Sequence, residues 1–203
     1  MEIYISPGNR RMDIPTFSLP AVKTCPGSTE LCKKNCYALK AEKVWKGPKQ
    51  SRNRNYDISM TKEFVDKMIH KISKSNKEYF RVHESGDFYS QEYLDKWIKI
   101  FEEFNIEDKK KKFLIYTQKY DLDYSKLPSN VILYWTIWPD TDIDKVPEGL
   151  RAYVIDDGTG KIPENTYIIN EPKICKKGKG SKLKCDDCMY CYEGRGDVVF
   201  ILH

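Results

Sequence analysis

The chain has 203 residues, 40% apolar and 32% charged, with a formal net charge of +5. That length suits one full domain and is short for two large ones, and no stretch approaches the roughly 20 apolar residues of a membrane-spanning helix. The opening segment MEIYISPGNRRMD lacks the basic-then-apolar layout of a secretory signal, so a cytosolic location is expected.

All seven cysteines fall into two groups, Cys25, Cys32 and Cys36 near one end and Cys175, Cys185, Cys188 and Cys191 near the other. In a reducing cytosol such groups are more often metal ligands than disulfides, and an odd total cannot pair completely. The first group reads CPGSTELCKKNCYALK, with Cys25 on a loop opened by Pro26 and Gly27. Cys32 and Cys36, four apart, would share one face of a helix. Arg52, Asn53 and Arg54 follow in SRNRNY; they could reach a carboxylate or phosphate, or simply occupy a surface or helix start.

Further along, helical spacing predicts a helix over 57–73 that buries Phe64, Val65, Met68, Ile69 and Ile72. A strand at Phe80–Val82 leads through HESGDF into a helix over 90–104, capped by Ser90 and burying Tyr93, Leu94, Trp97, Ile98, Phe101 and Phe104. Strands are predicted at Phe113–Thr117, Val131–Ile137, Arg151–Ile155, Tyr167–Ile169 and Val198–Leu202. The connections 118–130 and 138–150 carry Pro128, Pro139 and Pro147, which suits loops or single turns.

Strand–helix alternation argues for an α/β fold with a parallel sheet. With fewer residues than the roughly 250 of a closed eight-unit barrel, the expectation is a partial, incomplete TIM-like barrel over 1–170. Residues 171–203 read as a cysteine-rich cluster-binding segment of the same globule. A run of Lys173, Lys176, Lys177, Lys179, Lys182 and Lys184 adjoins its cysteines. It reads either as a nucleic-acid contact or as a solvated loop that offsets a negative thiolate-bound cluster.

Three thiolates can hold three irons of a [4Fe–4S] cluster and leave the fourth iron open, whereas four complete a cluster. The C-x2-C-x2-C run of CDDCMYC resembles a ferredoxin run, with Cys175 as the remote ligand; zinc stays an alternative, above all at this C-terminal site. Zinc at the first group would need a fourth ligand, for which His70, His83 and His203 are the histidine candidates.

CPGSTELCKKNCYA, FRVHESGDFYS and the FLIYT strand resemble the phage family called gene product 88, a resemblance that covers most of the chain and implies a phage or prophage origin. The layout also resembles the radical S-adenosylmethionine (SAM) superfamily, which sets a three-cysteine loop after the first strand of a full or partial barrel. The spacing here is longer than that superfamily's usual C-x3-C-x2-C, and Asn35 precedes Cys36 where an aromatic is usual, with Tyr37 following.

That second resemblance implies that SAM chelates the open iron and that Glu84, Ser85, Gly86 and Asp87 receive its amino group. A plain strand-ending turn is the competing reading of the same residues. Thr117 and Gln118, with Lys119, and then Thr136 and Trp138 are candidates at later strand ends. Tyr134, Trp135 and Trp138 would line an adenine pocket or form an aromatic core. The expected function is a small iron–sulfur enzyme that cleaves SAM reductively with help from an electron donor. An open barrel implies a macromolecular substrate or a completing partner chain. The alternative is a non-catalytic iron–sulfur or zinc protein that binds a host protein or nucleic acid.

Overall fold

Among the described residues, the β-branched and aromatic runs become strands of one eight-stranded sheet. The computed structural model describes residues 2–8, 12–155, 173–175 and 184–201. The strand expected at Tyr167–Ile169, Lys176, Lys177, Lys179, Lys182, Leu202 and His203 lie outside these residues. β2 (Thr16–Phe17), β3 (Tyr79–Val82), β4 (Lys112–Thr117), β5 (Val131–Ile137), β6 (Leu150–Ile155) and β8 (Val198–Ile201) run parallel to one another. β1 (Ile5–Ser6) lies antiparallel outside β2, and β7 (Lys173–Ile174) lies parallel outside β8. Among the described residues β1 and β7 do not pair with each other, so the sheet stays open.

Both sheet faces are covered, which is why β4 and β5 read as nearly continuous apolar runs. Phe80, Val82, Phe113 and Ile115 face a core built with α4 (Phe64–Ser73) and α5 (Gln91–Glu103). The alternate residues Leu114, Tyr134, Ala152 and Val198 face the N-terminal Met12 and Ile14 and the C-terminal cysteine segment. α5 follows the sequence expectation: the Ser90 hydroxyl accepts from the Tyr93 N–H, and Tyr93, Leu94, Trp97, Ile98 and Phe101 are buried. The Trp97 ring lies 5.5 Å from Phe17 and 5.4 Å from Phe101, and each such buried side chain contributes roughly 1.5–3 kcal/mol.

The helix expected over 57–73 is two helices. α3 (Lys46–Ser59) ends and α4 begins at Phe64. The hydroxyls of Ser59 and Thr61 donate to the carbonyls of Tyr56 and Ile58, taking the acceptors that a continuing helix would use. Phe64, Met68 and Ile72 are buried as expected, while Val65 and Ile69 are only partly so. Cys32 and Cys36 likewise do not share a helix. α1 (Glu30–Asn35) carries Cys32, and Cys36 is the junction from which α2 (Tyr37–Val44) departs, its sulfur accepting from the Leu39 N–H. The connections 118–130 and 138–150 are loops and turns, with a single 3-10 turn at Ile143–Lys145.

Candidate functional site

The first cysteine loop leaves β2 and is pinned across the carboxyl end of β3. Leu19 and Ser85 exchange two bonds, Leu19 N–H to the Ser85 carbonyl at 2.8 Å and Ser85 Oγ to the Leu19 carbonyl at 2.9 Å. The Asp87 N–H donates to the Thr24 carbonyl at 3.1 Å, and the Thr24 hydroxyl closes the turn onto Pro20. A second set of contacts ties the loop to the end of β4. Gly27 lies so close to Gln118 that a Cβ there would collide with the Gln118 carbonyl oxygen. Gln118 Nε2 donates to Cys32 Sγ at 3.1 Å. Beyond β5, Asp140 accepts from the Leu31 N–H at the start of α1, where a carboxylate suits the helix dipole.

Asp87 is the hub of this arrangement. One oxygen accepts from the Thr117 hydroxyl at 2.6 Å and from the Phe88 N–H at 2.7 Å, and the other accepts from the Gln118 N–H at 2.9 Å. Burial pushes its carboxyl up to about 6 against the pull of those donors. Asp87→Ala would orphan three buried donors at about 1–3 kcal/mol each, a loss partly returned because the desolvated carboxyl also goes. The expected net cost is about 3 kcal/mol in urea denaturation of metal-free protein, whereas Asp87→Asn keeps one acceptor, sets its NH2 against the Gln118 N–H, and costs about 1–2 kcal/mol.

Each of the three thiols is half-buried, and none of the seven cysteines is in a disulfide. Burial pushes the Cys25 thiol up to about 12, with the Asp87 carboxylate and then Cys32 and Cys36 adding to the shift. Cys32 is raised by burial too, opposed by its Gln118 donor. Thiols held this way are poor nucleophiles, because the reactive form is the thiolate. A bound cation removes that penalty, which is the ordinary logic of a thiolate metal site.

The residues expected to meet an ammonium divide. Ser85, Gly86 and Asp87 are committed to docking the cysteine loop, with Thr117 joining them through Asp87. Gln118 touches a cysteine sulfur directly, and Glu84 lines a cavity of about 460 Å³ together with Arg52 and Arg54. Arg52 Nη1 is itself anchored to Glu42 at 2.9 Å and to the Ala38 carbonyl at 3.1 Å. Glu42 also accepts from the Ala21 N–H, so this pair braces α2 and α3 against the cysteine loop. Tyr134 and Trp135 are core residues, the Trp135 indole N–H donating to the Glu148 carbonyl.

His83, just before this motif, is buried, takes a positive φ of 66° and shares a 2.9 Å bond with the Tyr93 hydroxyl. Burial, and then the charge of Arg81, drives its pKa from 6.5 down to about 3, so it is neutral. Below pH 6.5 the unfolded state takes a proton that the folded state refuses, so stability falls as pH drops through 6.5 toward 3. Wild type should lose about 2 kcal/mol relative to His83→Asn between pH 7 and pH 5, read by thermal or urea denaturation at both pH values. Asparagine tolerates the positive φ and does not titrate, and the comparison cancels every other group.

At the C-terminal group, the Cys175 N–H bonds the Val199 carbonyl at 2.7 Å, and the single turn α6 (Cys185–Cys188) ends on Met189 at a positive φ. Cys191 packs with Tyr116, Tyr134 and Phe200. Burial pushes its thiol up to about 11; a Tyr116 hydrogen bond opposes this, and the nearby sulfurs of Cys175, Cys185 and Cys188 add to it. Among the described residues, no three histidine, cysteine, aspartate or glutamate side chains are arranged to hold one metal ion. The donor set is soft and half-buried in both groups, while its side chains do not converge on a single-ion point.

Sequence reading missed Thr24, Thr29 and Asp140. The one local signal was the Pro26-Gly27 pair, which marks a sharp loop without saying what it packs on. Thr29 caps α1 by accepting from the Cys32 N–H at 3.2 Å.

The geometry defines an α/β protein whose open, mostly parallel sheet carries a three-cysteine loop against the carboxyl ends of β3 and β4. It belongs to the family described as Gene product 88, whose model matches residues 5–194. It is similar to the "Gene 88 protein" of Mycobacterium phage D29, 29% identical over 198 residues covering 87% of this chain and 81% of the relative. The "Gene 88 protein" of Mycobacterium phage L5 is 27% identical over 204 residues, with the same shares covered. No solved structure matches the chain. No helix among the described residues is long and apolar enough to cross a membrane.

Proposed function

We propose that this chain is an iron–sulfur protein of phage type with a radical SAM-like activity. In this reading Cys25, Cys32 and Cys36 hold a [4Fe–4S] cluster with one open iron, and Cys175, Cys185, Cys188 and Cys191 hold an auxiliary cluster. The observation that carries it is the Asp87–Gln118–Cys32 connection, which fixes a loop bearing three half-buried thiols to the ends of β3 and β4. The carboxyl ends of parallel strands are where α/β proteins place their chemistry. The parallel order of β2, β3, β4, β5, β6 and β8 also suits a barrel left unclosed among the described residues, which a large substrate or a partner chain would complete.

When bound, such a cluster supplies one electron for reductive cleavage of SAM. The chain's own residues do the positioning. Gln118 orients the Cys32 sulfur, Asp87 holds Gln118 through its backbone N–H, and Ser85 fixes the depth of the loop. Glu84, at the wall of the neighbouring cavity, would accept from a ligand amine.

The test is metal and sulfide analysis of protein purified without oxygen, followed by EPR of the reduced sample with and without SAM. About eight irons with a SAM-dependent spectral change supports the reading. About four irons with no SAM response leaves a single-cluster redox or structural protein, and zinc without iron replaces the enzyme with a binding module for a host protein or nucleic acid.

A further inference from the structure

The cavity of about 460 Å³ lies between the start of α3 and the edge of the sheet, and neither cysteine group lines it. Its size falls within the range of small-molecule sites. Its two walls differ in chemistry. The α3 wall donates: Arg52 and Arg54 line it, and α3 begins at Lys46 after Trp45, which makes no side-chain capping bond. Arg52 keeps its fixed position through Nη1, and a guanidinium has further N–H donors to offer. Arg54 is exposed and makes no ion pair among the described residues.

The sheet wall accepts. Thr16 lines the cavity, and its hydroxyl spends its proton on the Ile14 carbonyl at 3.0 Å, leaving only lone pairs for a ligand. Glu84 adds a carboxyl to the same side. A second phosphate at this end would meet a like charge, whereas ligand hydroxyls would find acceptors. Arg52 already shares its charge with Glu42, so a phosphate monoester would meet the charge of Arg54 and the further N–H donors of Arg52.

We infer that this cavity binds a small phosphorylated polyol of the sugar-phosphate class, with phosphate on Arg52 and Arg54 and hydroxyls on Thr16 and Glu84. The inference goes beyond the proposed function, because it needs no cluster and can be tested on metal-free protein.

Calorimetric titration of the full chain with ribose 5-phosphate, ribose, inorganic phosphate and SAM tests it. The expected result is saturable binding of ribose 5-phosphate, no binding of ribose, and weaker binding of inorganic phosphate than of the ester. Arg54→Gln, an exposed position whose loss leaves the core untouched, should weaken the ester about tenfold, whereas Lys71→Gln, outside the cavity, should leave it unchanged. The inference is overturned if the ester does not bind, if Arg54→Gln binds it as well as wild type, or if phosphate alone binds as tightly. SAM that binds through Arg54 while the ester does not bind would also overturn it. Since iron content is measured separately, a failure here leaves the cluster reading standing, and loss of iron leaves this site testable.

Discussion

Protein assembled without oxygen is expected to drop from about eight irons to about four when Cys25, Cys32 and Cys36 are replaced together by alanine. Any spectral response to SAM should vanish in the same variant, because the proposed function assigns the open iron to that group. Replacing Cys175, Cys185, Cys188 and Cys191 should also leave about four irons, yet keep the SAM response. The expectation rests on how the two groups are held. The N-terminal sulfurs sit on a loop docked to strand ends, with Asp87 and Gln118 alongside. The C-terminal sulfurs belong to a turn that packs with Tyr116, Tyr134 and Phe200. Because the thiols of Cys25 and Cys191 are pushed up to about 12 and about 11, a cation is what draws them into the thiolate form. Equal loss of iron and of SAM response from both variants would mean one shared site, and no loss from either would remove the cysteines from the metal chemistry.

The parts of the fold with strong local signals were legible. Helix α5 announces itself through Ser90 and the spacing of Tyr93, Leu94, Trp97 and Phe101, and β5 through its uninterrupted VILYWTI. The short elements were not. β1 and β2 are two residues each; among the described residues β1 pairs only with β2, and β2 takes its place from β3, tens of residues further on. α3 contains KGPK, which reads as a breaker, although Pro48 stands in the first turn, where its missing N–H costs nothing. The spacing of Cys32 and Cys36 fitted one helix equally well. Only the docking of the loop onto β3 and β4 shows that the chain turns a corner at Cys36. HESGD could be recognised as special, but not what it is special for. Four of its side chains act through partners distant in sequence: His83 on Tyr93, Ser85 on Leu19, Asp87 on Thr117, and Glu84 on a cavity walled by α3.

Gly86→Ala should be strongly damaging, costing about 4 kcal/mol in urea denaturation of metal-free protein. Two effects combine. Gly86 has a φ of +84°, where a side chain adds roughly 1–2 kcal/mol of backbone strain. A Cβ there would also stand 2.5 Å from Leu19 Cβ and 2.7 Å from Thr24 Oγ1, both on fully buried residues, which adds about 1–3 kcal/mol of overpacking. The strain need not unfold the whole molecule, because the clash is confined to the contact between the cysteine loop and the end of β3. The cheaper escape is for residues 19–29 to lift away, breaking the Leu19–Ser85 and Thr24–Asp87 bonds. Reaction of Cys25 and Cys32 with a thiol reagent at fixed pH should then accelerate by tenfold or more, while Cys191, on the far segment, keeps its wild-type rate. Iron at the N-terminal group should fall in parallel, since a detached loop no longer presents its sulfurs beside Gln118. If Cys25 and Cys32 stay protected while global stability falls, Gly86 serves the sheet alone. Unchanged stability would mean that the loop is not docked on β3 at all, and the link from HESGD to the cysteines would be lost with it.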